Sequence, residues 1–249
     1  MKISLLLTGT IDPGATPFVT LVDPDARRMD YKQALDSWRT VRGIDHIVFC
    51  ENSHQDLADF RTHAHTGDFE AISFDGNQSA QRGGKGAGEF AIIDHALRNS
   101  SELATSDLVL KSTGRLTVHN AEKLIQLVRD QARADVDVLC DLRTHLSVAE
   151  SRVFFARPEF LRDRLLPLAP IVDDHAGVYF EHALARATHL SLADGRRWRP
   201  LPCAPRIAGR SGSTGDRYPD SLPMRAAFGV RAWLERRLHR GFGVEETLP

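Results

Sequence analysis

The sequence predicts an α/β domain built on a mostly parallel sheet. Three observations carry this: short apolar runs recur along the chain, stretches of helical period lie between them, and turn residues close most of the runs. Ile3 to Leu7 reads as the first strand, closed by Thr8-Gly9-Thr10 and Asp12-Pro13-Gly14. From Asp30 to Arg42, Tyr31, Ala34, Leu35, Trp38 and Val41 fall on one helical face, and Gly43 ends it. Asp45 to Cys50 is a second buried strand that runs into polar Glu51-Asn52-Ser53, completing a β-α-β unit.

The cycle then repeats. Gln55 to Ala64 has helical character, Phe69 to Phe74 alternates as a strand, and Asp75-Gly76-Asn77 turns. A glycine-rich break, Gln81 to Gly88, leads into a helix from Glu89 to Leu97 with Phe90, Ile93 and Leu97 on one stripe. Asp107 to Lys111 is a strand broken by Ser112-Thr113-Gly114-Arg115, Ala121 to Arg133 a helix, and Val136 to Asp141 a strand. Val153 to Ala156 and Val178 to Phe180 read as strands or strand ends flanking a Pro-bounded helix, and a further helix runs from Phe180 to Thr188. The expected organisation is one domain over residues 1–205, then a mobile loop and a basic helix, Pro223 to Arg240, within 206–249.

Composition restricts the function. Of 249 residues 42% are hydrophobic and 26% charged, an ordinary globular balance, and 32 Lys+Arg against 33 Asp+Glu leave a formal charge of −1. No global positive field exists for gripping nucleic acid. No apolar run approaches the roughly 20 residues of a membrane-spanning helix, and the N-terminal run is too short for a secretory signal, so the expected location is the cytoplasm. The 3 cysteines form no C-x-x-C pair and are read as buried thiols, and no H-E-x-x-H or G-x-S-x-G run appears.

In open α/β sheets ligands bind at the carboxyl ends of the strands. The polar residues collected there are Thr8, Gly9, Thr10 and Asp12, then Glu51, Asn52 and Ser53, then Lys111, Thr113, Gly114 and Arg115, then Asp141 and Arg143. Hydrogen-bonding groups with a few cations suit a nucleotide and its diphosphate. The run Arg82 to Glu89 has the glycines of a phosphate loop but fails the Walker pattern, since Gly86 follows Lys85 where Ser or Thr is required. Two uses stay open for it, a flexible linker with a helix cap, or closure over substrate phosphate or sugar through Lys85 and Gly86.

The ordered runs Leu5-Leu6-Leu7-Thr8-Gly9-Thr10, Val48 to Ser53, Lys85-Gly86-Ala87-Gly88-Glu89 and Leu110 to Arg115 resemble those of bacterial capsule and lipopolysaccharide glycosyltransferases with a GT-A-like, Rossmann-type nucleotide-sugar fold. The resemblance covers about the first 190 residues and implies transfer of a sugar from a nucleotide-sugar donor to a glycan or lipid-linked acceptor in surface polysaccharide synthesis. A sugar nucleotidyltransferase and a non-catalytic nucleotide- or glycan-binding subunit are the competing readings. The former normally carries Arg and Lys directly after the first strand, which Thr8 to Asp12 lacks.

Such enzymes typically hold Mn²⁺ or Mg²⁺ on an Asp-x-Asp where this chain has Lys111-Ser112-Thr113-Gly114-Arg115. Two cations in place of two carboxylates reverse the local charge. The expectation is therefore no metal and no other cofactor, with Lys111 and Arg115, aided by Lys85, stabilising the leaving diphosphate, although Mn or Mg stays open. Asp135-Val136-Asp137 spells D-x-D, but at the start of a strand, and reads as a connection. Glu181 is the expected base, with Asp173-Asp174-His175 as the other candidate, Asp141 a second catalytic acid, and Arg143 and His182 acceptor contacts. In residues 223–240 the arginines outnumber the acids beside Phe228, Val230, Trp233 and Leu234. That composition fits a helix resting on the inner face of the membrane, or one packed on the domain with a solvated basic face.

Overall fold

The computed structural model describes residues 1–61, 68–131, 136–210, 215–216 and 218. In chain order the elements are β1 (Ile3–Gly9), α1 (Pro24–Arg39), β2 (His46–Glu51), the single turn α2 (Ala58–Arg61), β3 (Phe69–Ser73), α3 (Asn77–Gly83), α4 (Lys85–Asn99) and the turn α5 (Ser101–Ala104). Next come β4 (Leu108–Thr113), β5 (Leu116–Val118), α6 (Ala121–Gln131), β6 (Val136–Leu139), and the hairpin β7 (Leu142–Arg143) with β8 (Val148–Ala149). The chain continues through β9 (Val153–Ala156), α7 (Pro158–Phe160), α8 (Phe180–Ala193), β10 (Arg197–Arg199) and β11 (Ile207–Gly209). Tight π and 3-10 turns over Leu161–Leu165, Leu166–Ile171 and Asp174–Ala176 join α7 to α8.

Seven strands form one sheet in the order β10-β6-β9-β4-β1-β2-β3. Every neighbouring pair is parallel except where β9 runs antiparallel between β4 and β6. This is the mostly parallel, helix-flanked sheet that the periodicity predicts. Strand residues alternate between two cores, as a pleat requires. Ile3, Leu5 and Leu7 of β1 pack with Trp38, Leu124 and Phe155 on the α1–α6 face. Leu6 packs with Phe90, Phe154 and Leu184 on the α4–α8 face. Phe154 and Phe155 are 0% exposed, so adjacent residues of β9 anchor opposite cores, each worth about 1.5–3 kcal/mol of burial.

Several elements depart from expectation. α1 begins at Pro24, not Asp30, because Asp23 caps it by accepting from the Asp25 N–H and Pro24 occupies the first turn. The glycine-rich break is itself helical: α3 and α4 abut with Gly84 alone between them. β4 extends to Thr113, which places Lys111 inside the strand. Val178 makes only an isolated bridge with Asp173, and Phe180 already opens α8, so no strand forms there. β10 adds an edge strand that the sequence reading leaves out. The ends of the expected helices at 62–64 and 132–133, Asp135, the loop residues 211–214 and the basic stretch 223–240 lie outside the described residues. Among the described residues no helix is long and apolar enough to cross a membrane.

Candidate functional site

From β1 the chain crosses over to β2, and from β3 it returns through α4 to β4 on the other side of β1. Crossovers leaving in opposite directions open a crevice at the carboxyl ends of the two middle strands. A cavity of about 850 Å³ occupies that crevice. Of the residues singled out from the sequence, Thr8, Gly9, Lys85, Gly86, Lys111, Thr113, Arg115 and Glu181 all line it.

The cations there differ in their surroundings. The Lys111 side chain is 2% exposed, its Nζ lying 2.6 Å from Glu89 Oε1 and donating to the Ser151 carbonyl at 2.9 Å. Thr8 Oγ1 donates to the same Glu89 oxygen at 2.8 Å. Lys111 therefore ties β4 to α4 through a partner of its own. Arg115, past the end of β4, is 6% exposed, and its Nε and Nη1 are buried without a hydrogen-bond partner. Its guanidinium lies 5.8 Å from the centroid of the Tyr31 ring. Arg27 gives its donors to the Thr10 and Leu21 carbonyls and to the Tyr31 hydroxyl. Lys85 opens α4, and its pKa is lowered from the ordinary 10.5 chiefly by burial; Asp174 opposes that shift, Arg115 reinforces it, and Glu181 and Arg27 act weakly either way.

The glycines bring backbone close to a carboxylate of the protein. Gly84 has φ +85°, and a Cβ there would stand 2.4 Å from Asp174 Cβ. The Gly86 N–H donates to Asp174 Oδ2 at 3.3 Å. Asp174 is 8% exposed, with Oδ1 buried and unpartnered. A Cβ on Gly88 would lie 2.8 Å from Ala80 Cβ, so the same run lets α3 and α4 pack closely. The flexible-linker use is corrected by this: the segment is a tight helix junction.

Opposite stand the acids. Glu181 Oε1 accepts from Ser151 Oγ at 2.6 Å. Glu150 accepts from Arg152 Nε at 2.6 Å and pairs with Arg143 at 3.2 Å. Burial raises its pKa, but the Arg152 hydrogen bond and the two arginine charges outweigh burial and leave it below the ordinary 4.5. Arg152 lies 5.0 Å from the Tyr218 ring centroid.

Other expected site residues lie outside the lining. Glu51 accepts from Ser53, Gln55 and Ser73, Asn52 accepts from Thr10 at 2.6 Å, and Ser53 Oγ accepts from the Asp12 N–H at 2.9 Å, so this trio shapes the loop after β1. Gly114 donates to the Thr8 carbonyl at 2.9 Å. Asp141 accepts from the Leu201 N–H at 3.0 Å, Arg143 is the Glu150 partner, and His182 Nδ1 accepts from the Tyr179 N–H at 3.0 Å. Asp137 of the D-x-D run holds Ser191 and Arg196. Among the described residues no group of three or more His, Cys, Asp or Glu side chains is placed to hold a metal ion.

No family model matches this chain, and no curated protein does. Solved structures share its fold at low identity. The mannosyltransferase PcManGT from Pyrobaculum calidifontis, in complex with GDP-Man and Mn²⁺, is 12% identical with a TM-score of 0.47, over 79% of this chain and 53% of that one. Glucosyl-3-phosphoglycerate synthase from Mycobacterium tuberculosis, in complex with Mn²⁺, UDP and glucosyl-3-phosphoglycerate, is 15% identical with a TM-score of 0.45, over 94% and 79%. A cytidylyltransferase from Leptospira borgpetersenii is 12% identical with a TM-score of 0.44, over 83% and 78%. The chain thus spans about half the length of the mannosyltransferase. Likeness at this level carries no argument about activity.

Sequence reading missed Arg27, Glu89, Glu150 and Arg152 as cavity residues, whereas Asp174 and His175 of the second base candidate do line the cavity. Glu89 stood inside a run already singled out, whereas Arg27 precedes the expected start of α1 and carried no local signal.

Proposed function

We propose that the chain is a glycosyltransferase whose cavity takes a nucleotide-sugar donor, the diphosphate lying against Arg115 and Lys85. The observation that carries this reading is Arg115: a nearly buried guanidinium with two donors lacking partners, beside the cavity at the end of β4. Burying an unpaired charged donor costs several kcal/mol. A ligand rich in acceptor oxygens offsets that cost, and a diphosphate is such a ligand. Lys85, whose charge is disfavoured by burial, gains from the same anion.

At the end of β4 Lys111 is paired with Glu89, which leaves the Arg115 guanidinium and the Thr113 hydroxyl, a donor set that does not fit a divalent cation. Arg115 and Lys85 would themselves neutralise the departing diphosphate. Lys111 holds Glu89, and with it the wall of the site. Glu181, fixed through one oxygen by Ser151, would take the proton of the acceptor hydroxyl as its oxygen bonds to the anomeric carbon. The bond from that carbon to the diphosphate breaks, and the electron pair leaves with phosphate. The resemblance of the runs around Thr8, Lys85 and Arg115 supports a glycan or lipid-linked acceptor in bacterial surface polysaccharide synthesis.

Thermal shift against a panel of UDP-, GDP-, ADP- and dTDP-sugars tests the reading, since a ligand that binds the folded state alone raises Tm. At least one should stabilise the protein, with Arg115→Gln weakening it by about tenfold or more. A panel that leaves Tm unmoved overturns the proposal. Release of inorganic pyrophosphate from a nucleoside triphosphate and a sugar 1-phosphate would instead identify a nucleotidyltransferase.

A further inference from the structure

We propose that Phe18 and Tyr179 form a stacking subsite for a sugar ring of the acceptor, at the rim of the cavity. This rests on the transferase reading and extends it to the second substrate. Both side chains line the cavity and both stand in the open, Phe18 56% exposed and Tyr179 46%. A single exposed apolar residue needs no explanation, but these two come from different elements, the loop after β1 and the residue before α8, and border one cavity.

Each is also held in place. Phe18 has φ +60°, a conformation that a bulky residue adopts only under constraint and that clusters at ligand clamps. Its ring meets His175, 5.4 Å between centroids and tilted 55°. Tyr179 caps α8 with its N–H on His182 Nδ1 at 3.0 Å, and its ring stacks on the His182 ring at 5.6 Å and 26°. His182 thus acts through Tyr179, as a positioning residue. Rigid, exposed rings lose little entropy on binding and present a π face to the C–H side of a sugar.

The acceptor is favoured over the nucleobase by place. Tyr179 is two residues from Glu181, the carboxylate assigned to the attacking hydroxyl, while Arg115, assigned to the diphosphate, lies past the end of β4 and Lys85 stands between, its charge felt by both Arg115 and Glu181. A ring resting on Tyr179 therefore belongs to the molecule that brings the hydroxyl.

Saturation-transfer NMR on the full chain, with methyl glycosides of glucose, galactose, mannose and N-acetylglucosamine as probes, tests this. At least one glycoside should bind wild type and Tyr179→Phe alike, and lose about threefold to tenfold in affinity with Phe18→Ala or Tyr179→Ala. UDP and GDP binding, read by thermal shift in the same variants, is the second arm. Glycoside binding that is absent from wild type, or unchanged in both alanine variants, overturns the subsite. So does loss of nucleotide binding with the glycoside signal intact, which would make the rings a nucleobase platform. If the glycoside arm behaves as expected while no nucleotide sugar stabilises wild type, the transferase reading fails and the subsite stands.

Discussion

At the scale of single residues, the positions of charge decide what each cation can do. Lys85 is half-buried, and its lowered pKa makes anion binding a proton-linked event. Below that pKa the ammonium is charged and attracts a diphosphate; above it the attraction is gone. Donor affinity should therefore fall as pH rises, and the fall should begin below the 10.5 of an ordinary lysine. Titrating Kd against pH checks this, and Lys85→Gln should flatten the curve; a level wild-type profile up to that pH contradicts it. Lys111 presents the opposite case. Glu89→Gln strands a buried ammonium and should cost about 3–5 kcal/mol in urea unfolding, with much of the loss restored by adding Lys111→Met. If Glu89→Gln is neutral, the pair is not what ties β4 to α4.

At the scale of elements, the junction of α3 and α4 is tightly constrained backbone beside the cavity. Gly84 combines φ +85° with ψ −173°, a region open to glycine alone, and has no room for a Cβ beside Asp174. Gly84→Ala should cost more than the roughly 1–3 kcal/mol of the backbone strain, whereas Gly195→Ala, where nothing lies within 4 Å, should pay for strain alone. Equal losses in the two variants would remove the claim that Asp174 and the junction interlock. The same junction shows where sequence reading stops. Strands and amphipathic helices were legible because hydrophobic period is a local property, and Thr8, Lys85, Arg115 and Glu181 were legible because strand ends and helix starts are local too. Whether Lys111 points at a ligand or at Glu89, 22 positions earlier in the chain, depends on how α4 lies across β4. The glycines pointed to a close approach, but not to what is approached. Asp141 and Glu51 stood at strand ends as the rule asks, yet they face loop N–H groups, which only the folded chain supplies. Phe18 lies in a segment without any period at all.

At the scale of the whole molecule, a chain with a formal charge of −1 lines one cavity with six cations, Arg27, Lys85, Lys111, Arg115, Arg152 and Arg210, and four acids, Glu89, Glu150, Asp174 and Glu181. Lys111 and Arg152 are paired with Glu89 and Glu150, so the charge that sets this cavity apart is the guanidinium of Arg115, two of whose donors have no partner. If the proposed transfer runs on Arg115 and Lys85 in place of a divalent ion, it should continue in excess EDTA. Complete loss of transfer, restored by Mn²⁺, would overturn the metal-independent mechanism.

The antiparallel strand β9 gives this architecture a timetable. β4 and β6 flank β9 and are both synthesised before it, so on a growing chain their open edges must wait for Val153–Ala156 to arrive. Ser151 and Glu150, which hold Lys111, Glu181 and Arg152, come off the ribosome in the same short stretch. The half of the cavity carried by β1, α4 and β4 thus precedes β9, and the opposite wall is completed only when Asp174, Tyr179 and Glu181 follow it, so the two walls are made in sequence across one late strand.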